Sequence, residues 1–259
     1  MGSTPRAARR LVTAFASNFG RILSPTFQPN SQAKKAGGWW LSGGIDPDDC
    51  IVAYQPKGAA SYAASKVNLA NPGTYDIDGG SAPDWDASYG WNFNGTSHYL
   101  LASEFPINNG DFTVAAFIKP LINHNTSSAI AAANPMHGTN SYRGWVFKAE
   151  QWRDTGKLGY TLIIKGDYTS TIATPSTDSV VICTKSGTSV NIYCGESSSA
   201  ITTIVQNDIE NKGLLIGFVY KDNSIPIDLY KQYIYAIAVY NTVLTAEQRA
   251  ALTTAMNDL

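Results

Sequence analysis

Paired carboxylates are the first chemistry to look for in a chain with 20 Asp and Glu residues. Glycoside hydrolysis needs two carboxylates flanking the scissile bond, about 5–5.5 Å apart in the retaining mechanism. The segment AEQWRD places Glu150 and Asp154 four residues apart, which is about 13 Å along an extended strand. This pair is too widely spaced to act together.

Other catalytic patterns are also missing from the sequence. The three histidines, His98, His124 and His137, form no short-spaced pair of the kind that holds a metal ion. The sequence contains neither a glycine-rich phosphate loop nor a G-x-S-x-G elbow. We therefore expect a protein that is not an enzyme and has no catalytic residues or metal site.

Two aspartate-rich turns could supply oxygen ligands to calcium. GIDPDDC and YDIDGG contain Asp46, Asp48, Asp49, Asp76 and Asp78. Neither turn completes a calcium-binding loop, because no bidentate Glu follows at the required distance. Carboxylates that cap the backbone of their own turns are the simpler interpretation, so we expect no cofactor, with calcium as the alternative.

Aromatic side chains near turns could stack on sugar rings. Trp85, Tyr89, Trp91, Trp145 and Trp152 lie in or near predicted loops. Most aromatic residues of a β-sandwich belong to its core. Trp85 and Trp91 are the first candidates for stacking on a glycan.

The segment TPRAARRLVTAFASNFGRIL predicts an amphipathic helix. At 100° per residue its large apolar side chains share one face and its arginines lie opposite. Thr4 can cap this helix, and Pro5 suits its first position. Residues 1–45 carry six of the 19 Lys and Arg residues and none of the acidic ones. The sequence thus predicts a basic helical arm over residues 1–23.

An organelle transit peptide and a retained docking helix both fit this arm. A nucleic-acid arm is not favoured, because it would not need Phe15 and Phe19. An isolated helix of this length is marginal in water, so its apolar face requires a partner. The predicted docking residues are Arg6, Arg9, Arg10, Leu11, Phe15, Phe19 and Ile22.

A linker over residues 24–44, rich in Pro, Ser, Gln, Lys and Gly, is predicted to separate the arm from a single domain over residues 45–259. Short apolar or alternating runs separated by turn residues favour an all-β antiparallel sandwich. One body helix is predicted from Ala246, where Thr245 and Gln248 form a capping box. No apolar run is long enough to span a bilayer, so we expect no membrane span.

The segment VVICTKSGTSVNIYCG predicts a hairpin that turns at Ser186-Gly187 and places Cys183 opposite Val190. Cys194 then lies four residues further along the same face, well beyond disulfide reach. We therefore expect both cysteines to be small apolar core residues.

The order of the runs resembles the laminin G-like, concanavalin A-like jelly-roll family over about 200 residues. The resemblance rests on WNFNGTSHYLLA, DFTVAAFIKP, the VVICTKSGTSVNIYCG hairpin, GLLIGFVY and, most specifically, IYAIAVYNTVLTAEQRAAL. It implies a jelly roll. Hydrolases of this fold carry an E-x-D-x-x-E strand motif, which this sequence lacks.

The segment from GGWWLSGG to NPGTYD is also similar to proteins of tailed bacteriophages. This resemblance implies a capsid decoration, head-fibre or tail component that is displayed on the virion. Its arm would dock on a major capsid or tail protein, and we expect a homo-oligomer. The alternative is a carbohydrate-binding, lectin-like module or adhesin located outside the cell or at its surface.

Overall fold

The computed structural model describes most of the chain from residue 37 onward. The described residues are 37–106, 110–120, 128–133, 136–138, 141–142, 144–151, 158–164, 167–168, 172–173, 176–195, 197–202, 213–221, 225–227 and 229–259. The predicted arm over residues 1–23 and its seven docking residues lie outside these ranges.

Strands dominate the described residues. In chain order they are β1 (Cys50–Tyr54), β2 (Gly79–Ser81), β3 (Asp84–Asp86), β4 (Gly90–Asn92), β5 (Tyr99–Ala102), β6 (Phe112–Ile118), β7 (Ser128–Ala133), β8 (Met136–Gly138), β9 (Ser141–Tyr142), β10 (Trp145–Gln151), β11 (Leu158–Ile164), β12 (Asp167–Tyr168), β13 (Ile172–Ala173), β14 (Ser179–Ser186), β15 (Ser189–Cys194), β16 (Ser197–Thr202), β17 (Leu214–Ile216), β18 (Val219–Lys221), β19 (Ile225–Ile227) and β20 (Tyr233–Tyr240). The helices are α1 (Tyr62–Ser65) and α2 (Ala246–Asn257), with a single 3-10 turn over Trp39–Leu41. No helix of the described part of the chain is long and apolar enough to cross a membrane.

Two eight-stranded sheets form a sandwich. Sheet A has the order β16-β15-β14-β6-β20-β4-β3, with β1 also paired to β20, and sheet B has the order β12-β11-β10-β7-β17-β5-β2, with β13 also paired to β11. Strands β19, β18, β8 and β9 form a third, smaller sheet. The pairings within sheets A and B are antiparallel. The predicted all-β jelly-roll sandwich with a short C-terminal helix is confirmed.

The main core lies between sheets A and B, and alternation along the strands explains it. In β6, Phe112, Val114, Ala116 and Ile118 belong to this core, because alternate side chains of a strand point to the same face. Its other side chains include Ala115 and Phe117, which join a second apolar cluster on the outer face of sheet A. Strand β6 is therefore buried on both faces.

Helix α2 and the 3-10 turn cover part of that outer face. Leu252 and Met256 of α2 pack in the second cluster together with Trp39 and Trp40. The Tyr240 hydroxyl donates to the Trp40 carbonyl at 3.0 Å. The capping box is confirmed, since Thr245 and Gln248 each accept a hydrogen bond from the other's backbone N–H.

The predicted domain boundary at residue 45 is too late. The body forms one compact unit over Ala36–Leu259. The last part of the predicted linker is therefore not a linker, because the two tryptophans of GGWW are buried against sheet A. The residues before them are rich in Pro, Ser, Gln, Lys and Gly, which is typical of a linker. The tryptophan pair is therefore included in the predicted linker.

The predicted hairpin register also needs correction. Ser186 pairs with Ser189, so the turn is Gly187-Thr188, and Cys183 lies opposite Ile192. The shift arises because Gly187, at φ +53°, takes the first turn position and not the second. Cys183 and Cys194 are nevertheless free, buried core residues as expected.

We expect glycine substitutions to show how tightly α2 closes on the body. Gly43 and Gly44 both have positive φ, but a Cβ on Gly43 would lie 2.9 Å from Ala251 Cβ, whereas one on Gly44 would meet nothing within 4 Å. Gly44→Ala should lower the free energy of unfolding by about 1 kcal/mol through backbone strain alone. Gly43→Ala should cost about 2–3 kcal/mol, since α2 must also move. Urea titration checks this, and equal losses would contradict the close packing.

Thiol reactivity tests the burial of the three cysteines. Burial raises the pKa of the Cys50, Cys183 and Cys194 thiols, so the reactive thiolate is scarce at neutral pH. We expect a disulfide reagent such as DTNB to label none of them in native buffer and all three in urea. If one cysteine of the native protein is labelled at the rate of a free cysteine, that residue is not buried in the folded protein.

Candidate functional site

An aromatic and cationic surface lies at one end of sheet A, where β6 ends and β20 begins. It consists of Tyr89, Tyr233, Tyr235, Lys57 and Lys119, and we call it the tyrosine surface. Tyr89 is 56% exposed and is the most solvent-accessible large hydrophobic side chain among the described residues. Its ring therefore presents an apolar face to solvent.

A β-bulge in β20 turns Tyr233 and Tyr235 to the outer face of sheet A. The register between β20 and β6 shifts between Ile234 and Ala236. Tyr233 and Tyr235 consequently face outward while Ile234 packs in the main core. Bulges commonly redirect side chains in this way. The segment YIYAIAVY thus keeps its apolar face inward on both sides of the bulge.

The rings form a ladder flanked by two ammonium groups. The ring centroids of Tyr89 and Tyr233 are 5.5 Å apart, and those of Tyr233 and Tyr235 are 6.4 Å apart in nearly parallel planes. Lys119 Nζ lies 5.3 Å from the Tyr233 ring centroid, and Lys57 Nζ lies 5.3 Å from that of Tyr235. Such cation–π contacts fix the positions of the ammonium groups at the rim of the surface.

Tyr235 is the anchor of the ladder. Only 3% of its surface is exposed, and its hydroxyl donates to Asp178 Oδ2 at 2.7 Å. Burial, and then the bond to the Asp178 carboxylate, raise the pKa of Tyr235. The phenol stays protonated at physiological pH and keeps donating this bond, so the part of the ladder beneath Tyr233 is rigid.

Two turns hold Lys57 and Tyr89 beside β20. The backbone N–H of Lys57 donates to the Tyr235 carbonyl at 3.3 Å, and that of Gly58 donates to the Ala87 carbonyl at 2.6 Å. Gly90 has φ +74°, and a Cβ there would lie 2.5 Å from the Ile234 carbonyl oxygen. The close approach of these backbones fixes Lys57 and Tyr89 beside β20.

The two predicted stacking tryptophans have different outcomes. Trp91 is completely buried, and its indole N–H donates to Ser65 Oγ at 2.8 Å. The prediction that Trp91 stacks on a glycan is therefore wrong: alternation in β4 turns it into the core. Trp85 is half-buried next to the tyrosine surface, where its indole N–H donates to the Pro56 carbonyl at 2.9 Å. Trp85 thus positions the turn that carries Lys57.

Three of the five aspartates named as possible calcium ligands accept hydrogen bonds from backbone N–H groups. Asp76 accepts from the N–H groups of Asn68 and Gly73, and Asp78 accepts from Ser103. Asp46 Oδ1 accepts from the Asp48 N–H within its own turn. Across the described ranges, no three His, Cys, Asp or Glu side chains are grouped in a way that could hold a metal ion.

No protein-family model and no curated protein sequence matches this chain. Solved structures of sialidases from Trypanosoma rangeli do share its fold. A mutant that displays trans-sialidase activity aligns with a TM-score of 0.58 and 12% identity, over 83% of this chain and 34% of the sialidase. The sialidase in complex with sialic acid aligns with a TM-score of 0.56 and 14% identity, over 82% of this chain and 33% of the sialidase. Our chain thus spans about a third of the length of these enzymes, and the likeness shows a common fold.

The sequence-based exclusion of an enzyme is wrong. It rested on the missing E-x-D-x-x-E motif, together with the missing histidine pair, phosphate loop and G-x-S-x-G elbow. Solved structures that share the fold include sialidases, which are enzymes. The absence of that motif is therefore no ground for excluding catalysis.

Conservative tryptophan substitutions test the role of Trp85 in positioning. Trp85→Phe keeps the ring but loses the hydrogen bond to Pro56, so we expect it to lower the free energy of unfolding by about 1 kcal/mol. Trp91→Phe is the matched change in the core. It leaves the buried Ser65 hydroxyl without its donor and opens a cavity, so it should cost about 2–3 kcal/mol. Urea unfolding measures both; no loss for Trp85→Phe would show that the bond to Pro56 is unimportant.

Proposed function

We propose that the body of this protein is a carbohydrate-binding domain and that the tyrosine surface is its binding site. The observation that carries the proposal is the exposed Tyr89 ring, which contacts Tyr233 at 5.5 Å between ring centroids. Lys119 and Lys57 lie over the other two rings of the ladder, Tyr233 and Tyr235. A rigid aromatic ring offers a large apolar face at low entropic cost, and this suits the C–H face of a pyranose.

The two lysines suit the polar part of such a ligand. An ammonium group donates up to three hydrogen bonds and attracts carboxylates. Sialylated glycans are the first ligands to test, because solved structures that share the fold include a sialidase in complex with sialic acid. The sialidases are only 12% and 14% identical to this chain. Their likeness therefore supports the choice of ligand through the shared fold and not through shared site residues.

A glycan array with the full-length protein tests the proposal. We expect binding to sugars that Tyr89→Ala weakens at least tenfold, equivalent to about 1.4 kcal/mol. Tyr89→Phe is the matched control and should retain affinity within about twofold, because it keeps the ring. Tyr89 is exposed, so its replacement should change stability by less than about 0.5 kcal/mol, and a thermal melt checks this.

Two results would contradict this function. One is silence across a broad array that includes sialylated and neutral glycans. The other is glycan binding that Tyr89→Ala leaves unchanged, which would place the ligand elsewhere on the protein.

The assignment to a phage particle stays a prediction. It depends on the docking arm over residues 1–23, which lies outside the described residues, and on a segmental resemblance that the comparisons do not address. A displayed glycan-binding body is compatible with it, because multivalent display strengthens weak individual contacts.

A further inference from the structure

A cleft separate from the tyrosine surface lies between α2 and the strands β14, β15 and β16. This cleft has a volume of about 520 Å³, within the range of about 300–1,000 Å³ that is usual for small-molecule sites. It shares the outer face of sheet A with the tyrosine surface but is lined by other residues.

Arg249 is the charged side chain of the cleft, and two contacts hold it in place. Its guanidinium carbon lies 4.0 Å from the ring centroid of Tyr193. Its Nη1 donates to the Leu244 carbonyl at 2.6 Å. That bond takes one of the five N–H groups of a guanidinium. The group is thus oriented in advance and keeps further donors for a ligand, which lowers the entropic cost of binding.

The rest of the lining combines an apolar floor with a hydroxyl rim. Val180 and Ile182 of β14 are buried and form the floor. Ser197, Ser198 and Thr253 contribute hydroxyl groups, each able to donate and accept. A purely apolar ligand would leave this rim unpaired, and a bare inorganic anion would leave the floor unused.

The neighbouring acidic side chain of α2 does not share the cleft face. Glu247 precedes Arg249 by two residues, and residues at i and i+2 of a helix do not face each other. Glu247 is not among the residues that line the cleft. Hydrogen bonds with its own backbone and with Thr245 lower the pKa of its carboxyl, and the Arg249 charge contributes to the same shift. Ala246 and Thr253, three and four residues from Arg249, line the cleft with it, as do Ala250 and Thr254. Thus the cleft face of α2 carries a positive charge among small side chains.

We infer that this cleft is a separate binding site for a carboxylate-bearing sugar. The guanidinium matches a carboxylate in a planar, bidentate geometry. The hydroxyl rim matches sugar hydroxyls, and the floor of Val180 and Ile182 matches the C–H face of the ring. The site does not depend on the tyrosine surface.

Ligand-observed NMR with the full-length protein and free D-glucuronate tests the inference. Glucose is the matched neutral probe, since it has a hydroxymethyl group where glucuronate has a carboxylate. We expect glucuronate to bind at least tenfold more tightly than glucose. Inorganic phosphate should not compete at equal concentration, because it cannot use the floor or the rim.

Variants then locate the site. Arg249→Gln removes the charge and should reduce glucuronate affinity at least tenfold, whereas Arg249→Lys should restore part of it. Because both changes also disturb the contact with Tyr193, Ser198→Phe serves as a second test. It retains the guanidinium, fills the exposed rim next to Tyr193, with which Ser198 pairs, and should also abolish binding. Tyr89→Ala should leave glucuronate affinity unchanged, so failure here and failure of the tyrosine surface can be told apart.

Three outcomes would overturn the inference. They are equal affinity for glucuronate and glucose, full competition by phosphate, and glucuronate binding that survives both Arg249→Gln and Ser198→Phe.

Discussion

Strand β6 buries all seven of its side chains, four against sheet B and three on the outer face of sheet A. An antiparallel sheet that is apolar on only one face can leave its other face in water. The centre of sheet A cannot leave its outer face in water, because that face is apolar too. The need to cover this outer face determines much of the remaining structure. Helix α2 and the buried tryptophans of the 3-10 turn cover one part, and side chains from loops and strand ends cover the rest.

Both proposed binding sites lie on this outer face. At one end of the sheet, tyrosines and lysines shield Phe117 in place of a helix. Beside α2, the helix leaves a gap over β14 and β15 that Arg249 partly fills by lying on Tyr193. Amphipathic side chains cover apolar surface while their polar ends remain in water. The same property makes the face suitable for ligands that carry both C–H faces and polar groups.

The sequence predicted those features whose signals are local. The capping box at Thr245 depends on four consecutive residues, and the alternation in β15 places Val190 and Ile192 inward as expected. Features that depend on a partner strand could not be predicted from the sequence. The bulge in β20 exists only relative to β6, so simple alternation in YIYAIAVY assigns Tyr233 and Tyr240 to opposite faces, although both face outward. The burial of Trp91 and the exposure of Tyr89 also depend on other strands and turns, so the sequence does not rank Tyr89 above the other aromatic residues near turns.

The position of β20 in sheet A has a further consequence for how the chain acquires its structure. This strand is the last in the sequence, yet it lies between β6 and β4, and its Tyr240 bonds to a residue 200 positions earlier. Because chains emerge from the ribosome starting at the amino terminus, β6 must wait with an exposed edge until β20 is made. Pairings between such distant segments also form slowly. Folding of the body therefore cannot be completed before β20 has been made, and a nascent chain depends on protection of that open edge until this strand arrives.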